Sequence, residues 1–136
     1  MNNKRIGSDF ERRYAAYLKK LGFWVHFLSP APDGSQPFDF IALKGEPDGT
    51  YRIIAADCKT CSANRFSLDR IEDNQVMAFT QLANCGILHC AWIIVETQKN
   101  HIIAIPADHV LRAKASGVKS INLTEYDNND YSTNIQ

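Results

Sequence analysis

The sequence predicts an α/β domain, and three observations carry that prediction. Phe10, Tyr14, Tyr17, Leu18 and Leu21 recur at three- and four-residue steps, the spacing of one helix face. Several short apolar runs are bounded by clusters of Gly, Pro, Ser, Asn and Asp, which reads as strands separated by turns. A second stretch of helical spacing, Ile71, Val76, Phe79 and Leu82, then falls between two groups of such runs.

Taken in order, residues from about Ser8 to Leu21 form an amphipathic helix stopped by Gly22, a residue that tolerates the backbone turn at a helix end. Phe23 to Leu28 is an apolar, aromatic strand. A Pro/Gly/Ser loop without periodicity, Ser29 to Pro37, leads to a second strand, Phe38 to Leu43. The breaker-rich segment Lys44-Gly45-Glu46-Pro47-Asp48-Gly49 joins it to a third, Tyr51 to Lys59, as an antiparallel hairpin. After a loop from Thr60 to Ser67, a helix runs from about Leu68 to Cys85 and ends at Gly86. His89 to Glu96 and His101 to Ile105 are two more strands. Pro106 and Gly117 bracket a short helix over Ala107 to Ala115, since proline suits a first turn and glycine an end. Ser120 to Leu123 is a short extended piece. Residues 1–124 make one domain, and the polar stretch 125–136 reads as a disordered tail.

A chain of 136 residues suffices for one hydrophobic core. No apolar run has the length needed to span a bilayer, and Met1-Asn2-Asn3-Lys4-Arg5 leads into a charged helix rather than a signal sequence. A cytoplasmic protein with no membrane partner is expected. Its four cysteines, Cys58, Cys61, Cys85 and Cys90, are then reduced. With His89 they permit a zinc site to be written down, and Cys58-Lys59-Thr60-Cys61 invites a redox reading. Knuckle-like spacing is missing from the first and a helix-opening setting from the second. Cys58, Cys85 and Cys90 are expected instead to be small buried residues.

Net charge is zero, with fifteen acids and fifteen bases, which argues against a general polyanion binder. The distribution is uneven. Between Lys4 and Lys20 stand Lys4, Arg5, Arg12, Arg13, Lys19 and Lys20 against Asp9 and Glu11. Such a helix can lie over a nucleic-acid backbone or can simply be a solvated face.

The segment with most chemistry is Asp57-Cys58-Lys59, at the end of Arg52-Ile53-Ile54-Ala55-Ala56. Alternation along a strand sends Asp57 and Lys59 to one side and Cys58 to the other. If Asp39 comes from the neighbouring strand, two carboxylates can hold a divalent cation with Lys59 beside a bound water and a phosphate, a layout suited to phosphodiester hydrolysis. An acid-x-Lys tripeptide alone is a weak signal. Each residue also has a structural reading. Ser8-Asp9-Phe10-Glu11 matches a capping box with Glu11 at its third position. Asp39 can begin a strand, Asp57 and Lys59 can form a surface pair, and Gln75 can be a solvated helix residue. His26, His89, His101 and His109 are expected to be structural or exposed.

The element order, with Glu11 in the first helix, Phe38-Asp39 in the second strand, Asp57-Cys58-Lys59 in the third and Gln75 in the next helix, resembles the PD-(D/E)XK nuclease superfamily. Within it, Gly7 to Glu11, Asp57 to Thr60 and Phe66-Ser67-Leu68 through Asn74-Gln75 are similar to the Holliday-junction resolvases, both the small archaeal kind and the RecU-like kind. Phe38 stands where a proline often precedes the first acid, and Asp57 where glutamate is commoner.

The resemblance implies a restriction-endonuclease-like αβββαβ core with a mixed central sheet flanked by helices. It implies Mg²⁺, with Mn²⁺ as a substitute, on Asp39, Asp57 and the Cys58 backbone carbonyl. Lys59 would orient or help deprotonate the attacking water, Glu11 would complete the site through a second metal or a water, and Gln75 would position the water or a phosphate. The products would carry 5′-phosphate and 3′-hydroxyl ends. Thr60, Arg65 and Arg70 are candidates for flanking phosphates, with Lys4, Arg5, Arg12 and Arg13 further along the duplex. The expected substrate is branched duplex DNA, cut by a homodimer whose interface could draw on Trp24, Phe27 or Trp92. The rival readings are a nuclease of broader repair or restriction type, a non-catalytic nucleic-acid-binding module, and a small zinc or redox protein.

Overall fold

A computed structural model of the chain describes residues 9–29, 36–127 and 131–135. Helix α1 (Asp9–Lys20) leads into strands β1 (Trp24–Phe27), β2 (Phe40–Gly45) and β3 (Tyr51–Thr60), followed by β4 (Arg65–Ser67), helix α2 (Asp73–Asn84) and strands β5 (Ala91–Gln98) and β6 (His101–Pro106). Helix α3 (Ala107–Ala115), strand β7 (Ser120–Asn122) and strand β8 (Ser132–Asn134) complete the order. Six strands form one sheet in the order β1-β2-β3-β5-β6-β8, and β4 pairs with β7 in a separate ribbon. The sheet is mixed because β3 and β5 run parallel, joined by the crossover through α2, while its other pairs are antiparallel.

The predicted hairpin forms, with Phe40 opposite Ala56 and Gly45 opposite Tyr51. Gly22 closes α1 at φ 99° and Gly117 closes α3 at φ 84°, left-handed positions where a side chain would be strained. Apolar residues cover both faces of the sheet. On one side Phe10, Tyr14, Ala15 and Leu18 of α1 pack on Phe40, Ala42, Ala56, Ile94 and Ile102. On the other, Phe79 of α2 and Val110 of α3 pack on Ala55, Ile93, Val95, Ile103 and Ile105. Ala55 and Ala56 thus belong to opposite cores, and the alternation continues to the end of β3. Cys58 joins the α1 side, while Asp57 and Lys59 share the α2 side.

Four expectations are corrected. The stretch 125–136 is not a disordered tail throughout, since Ser132–Asn134 pairs with β6 as an edge strand and Tyr131 O accepts from Ala104 N at 2.8 Å. The helix expected over Leu68 to Cys85 is broken. Leu68–Arg70 is a 3₁₀ turn capped by the Ser67 hydroxyl, and α2 starts afresh after Glu72 in extended conformation, because Leu68 and Ile71 are both drawn into the core. The loop Thr60 to Ser67 contains β4, paired with β7. Cys85, at the end of α2, is exposed, and Cys58, Cys61 and Cys90 are half-buried free thiols. The predicted helix cap Ser8 and the centre of the Ser29 to Pro37 loop lie outside the described residues. No helix among the described residues is long and apolar enough to cross a membrane.

Candidate active site

The end of β3 leaves the protected middle of the sheet with a buried acid and a base side by side. Asp57 is only 5 % exposed, and Lys59 Nζ lies 3.1 Å from its Oδ2. The contact is an ion pair by distance but lacks hydrogen-bond angles, so Asp57 Oδ2 is buried without a hydrogen-bond partner among the described residues. A desolvated carboxylate oxygen in that state is costly. Burial pushes the Asp57 carboxyl above its ordinary pKa, and Lys59 offsets part of that rise.

Asp39 comes to β3 from the bend immediately before β2, not from within the strand as expected of Phe38-Asp39, because β2 begins at Phe40. Its N–H donates to Ala56 O at 2.7 Å, and its Oδ2 accepts from the Cys58 N–H, also at 2.7 Å. The side chain therefore extends the β2–β3 ladder by one step, and Asp39 is fixed to the residue between Asp57 and Lys59. Its pKa is pushed up to about 7, first by burial and then by the charges of Asp57 and Glu11, against the Cys58 N–H and Lys59. Glu11, half-buried on the first turn of α1, is thus electrostatically part of the group. The Ser8 hydroxyl that would cap against it lies outside the described residues.

Gln75 is not a solvated residue. It is 2 % exposed, with Nε2 donating to Pro37 O at 3.1 Å and Oε1 accepting from Glu72 N at 3.1 Å. The Glu72 side chain returns the contact to the Gln75 backbone as a capping box. The nearby Gln75 amide also lowers the Asp57 pKa. One amide therefore ties α2 to the chain entering Asp39 and is itself closed off from solvent. Gln75→Ala is expected to destabilise the protein by about 2 kcal/mol through stranded polar partners; an unchanged denaturation midpoint would refute the bracing role.

The basic candidates separate. Arg70 Nη1 donates to Thr60 O at 2.6 Å and its guanidinium lies over the Phe66 ring, so Arg70 and Thr60 stand together just past Lys59. Arg65 is exposed and donates to Ser120 Oγ at 2.8 Å on the β4–β7 ribbon, and Arg12 is exposed on α1. Arg13 departs from the expectation of a phosphate contact: its guanidinium is held by Asp9, Glu96 and Asn100. Lys4 and Arg5 lie outside the described residues. Of the histidines, His26 stacks on Trp24, His101 bonds Asn134 and His109 bonds the Tyr126 hydroxyl. Sequence reasoning missed Glu72, whose charge bears on Asp57, and Glu96. Glu96 lies 83 residues from its partner Arg13, and no local pattern points to it.

Among the described residues, no three His, Cys, Asp or Glu side chains are grouped as a metal cage. The donor set nevertheless fits a hard cation of the Mg²⁺ kind, which keeps most of its waters and needs only one or two carboxylates. The Asp57 oxygen without a hydrogen-bond partner is a suitable donor.

No curated protein sequence matches the chain. The 1.6 Å structure of Hjc, a Holliday junction resolvase from the archaeal hyperthermophile Archaeoglobus fulgidus, superposes with a TM-score of 0.57 at 18 % identity, over 88 % of this chain and 89 % of that one. At that identity the match establishes the shared fold, a mixed sheet flanked by helices. The family model for the archaeal Holliday junction resolvase (Hjc) matches residues 2–127. The chain therefore belongs to the archaeal Holliday junction resolvase family of structure-selective, junction-cleaving nucleases.

Proposed function

We infer that the protein cuts four-way DNA junctions at the Asp39–Asp57–Lys59 centre with the help of Mg²⁺, for which Mn²⁺ can substitute. The observation that supports this reading is the Cys58 N–H to Asp39 Oδ2 contact, which holds the first acid to the residue after Asp57, whose buried Oδ2 lacks a hydrogen-bond partner among the described residues. Asp39, Asp57 and the Cys58 carbonyl would hold the cation. When bound, it supplies Lewis-acid polarisation of a phosphate oxygen and of a water. Lys59, kept in place by Asp57, orients the attacking water and stabilises the negative charge that grows on the phosphoryl oxygens. Water oxygen bonds to phosphorus as the bond to O3′ breaks, which leaves 5′-phosphate and 3′-hydroxyl ends. Glu11 adds a third carboxylate at the rim for a water or a second ion.

Thr60 and Arg70 bind the phosphate next to the scissile one, with Arg65, Arg12, Lys4 and Arg5 further along the arms. Phosphate contacts of this kind position DNA without reading its sequence, so shape selects the substrate. Two symmetric incisions call for a homodimer. Trp24 and Phe27, at 60 % and 39 % exposed, are available to its interface, together with half-buried Trp92.

The test is cleavage of a labelled junction, a matched linear duplex and single-stranded DNA in Mg²⁺ or EDTA. Paired, metal-dependent cuts confined to the junction are expected. Cutting of all three substrates would mean a broader nuclease, and binding without cutting would mean a non-catalytic module.

A further inference from the structure

Arg13 has the sequence position of a DNA contact and the surroundings of a structural fork. Its Nη1 and Nη2 donate to the two carboxylate oxygens of Glu96 at 2.5 and 2.9 Å. Nη1 also reaches Asn100 Oδ1 at 3.0 Å, and Nε donates to Asp9 Oδ2 at 2.7 Å. A two-pronged guanidinium–carboxylate pair is among the stronger and more directional polar contacts available. Glu96 is 8 % exposed, and its Oε2 also accepts from Asn100 N at 2.8 Å, where Asn100 turns the β5–β6 connection at φ 66°. Arg13 holds the Glu96 carboxyl below its usual range, so the pair stays ionised at neutral pH. Moving Arg13 onto a phosphate would strand that buried carboxylate without its partner.

Glu96 touches the catalytic strand as well. It lies beside Thr60 in the parallel β3–β5 register, and its carbonyl accepts from Cys61 N at 3.0 Å. One residue thus holds the chain just past Lys59 by its backbone and the first turn of α1 by its side chain. On α1, Glu11 and Arg13 are two residues apart, about 200° around the helix, so they flank the buried Phe10–Tyr14 stripe on opposite sides. A fork on one flank sets where the other flank points.

We propose that Arg13 and Glu96 are positioning residues for Glu11: their fork locks the first turn of α1 against the end of β5 and thereby delivers the Glu11 carboxylate to the Asp39–Asp57 centre. The proposal rests on Glu11 belonging to that centre.

The test compares wild-type protein with Glu11→Gln, Arg13→Gln, Glu96→Gln and the Arg13→Gln/Glu96→Gln double variant. Junction affinity, saturating cleavage rate and the Mg²⁺ concentration for half-maximal rate are measured, with thermal denaturation to confirm folding. Arg13→Gln and Glu96→Gln are each expected to raise the half-saturating Mg²⁺ at least tenfold with junction affinity changed less than threefold. The double variant should add little to either single change, the signature of one coupled pair. Arg13→Lys, which keeps the charge without the fork, recovers only part of the loss.

A phosphate-contact role predicts the opposite. Arg13→Gln would weaken binding and reduce its salt dependence by about one counterion, Glu96→Gln would tighten binding, and the metal requirement would stay put. That pattern overturns the proposal and leaves the assigned catalytic centre intact. A fully active Glu11→Gln in a cleaving wild-type background removes the premise and overturns it by that route. If single variants prove unstable, Arg13→Lys is read by the same three quantities.

Discussion

Asp57→Asn is expected to abolish cleavage, keep junction binding and raise the melting temperature of the metal-free protein. The opposite signs follow from one fact: Asp57 is buried, and its Oδ2 has no hydrogen-bond partner among the described residues. Burial lifts its pKa, with Lys59 compensating only in part, so the ionised form needed to hold a cation is disfavoured in the folded protein. A neutral amide of the same shape removes that penalty, and Lys59, the more exposed partner at the end of a flexible stem, keeps its ammonium in contact with water. The gain is on the order of 1 kcal/mol, or about 4 °C for a chain of this size. The rate should fall at least about 10²–10³-fold, the scale of losing one group that stabilises transition-state charge.

Lys59→Ala is expected to be equally inactive but less stable, because it leaves the Asp57 carboxylate uncompensated; breaking a buried pair from one side costs about 3–5 kcal/mol. Adding Asp57→Asn to Lys59→Ala should then restore stability without restoring activity. Junction binding, cleavage and thermal denaturation of the three variants check the set. If Asp57→Asn and Lys59→Ala both destabilise and the double variant is no better, the two residues form an ordinary structural pair.

Legibility in the sequence followed the range of the interactions. The alternation that places Asp57 and Lys59 on one face, opposite Cys58, is a local property of β3, and the breakers between Lys44 and Gly49 set the β2–β3 hairpin that carries Asp39 to Cys58. Pro106 and Gly117 likewise bracket α3, which spans Ala107–Ala115. What escaped depends on distant partners. The three-residue strands β4 and β7 exist by pairing with each other across more than fifty residues. Polar Ser132–Asn134 becomes a strand because β6 offers an unpaired edge. The helical spacing of Ile71, Val76, Phe79 and Leu82 survives a broken helix because a 3₁₀ turn and an extended Glu72 still direct Ile71 inward. The burial of Gln75 is not legible locally, because Pro37, which its amide holds, lies 38 residues away on another segment. The basic cluster of α1 misled for the same reason. Arg13 reads as part of a cationic face until Glu96 is brought to it by the fold.

Metal binding to the free protein is expected to release close to one proton at pH 6 and almost none at pH 8. Asp39, with its pKa pushed up to about 7 by burial and by the charges of Asp57 and Glu11, must be ionised to act as a ligand. Below pH 7 a proton therefore competes with the cation, and apparent metal affinity should climb up to about tenfold per pH unit until it levels off above 7. The same group gives stability a defined sign. An aspartate in the unfolded chain titrates near about 3.9. Between there and pH 7 the folded protein therefore holds a proton that the unfolded chain does not. Metal-free stability should then be fullest below about pH 4 as far as this group is concerned, and fall as pH rises towards 7 by at most about 1.4 kcal/mol per unit.

Asp57 is raised as well, so the two acids titrate as a coupled pair; Asp39→Asn separates their contributions by leaving Asp57 alone. Titration calorimetry with Mg²⁺ or Mn²⁺ in two buffers of different ionisation enthalpy counts the protons. Release at pH 6 that disappears in Asp39→Asn supports Asp39 as the acid that exchanges its proton for the metal. Binding at pH 6 with no proton release would show that Asp39 is already ionised, and the pH dependence of cleavage would then have to come from the substrate step.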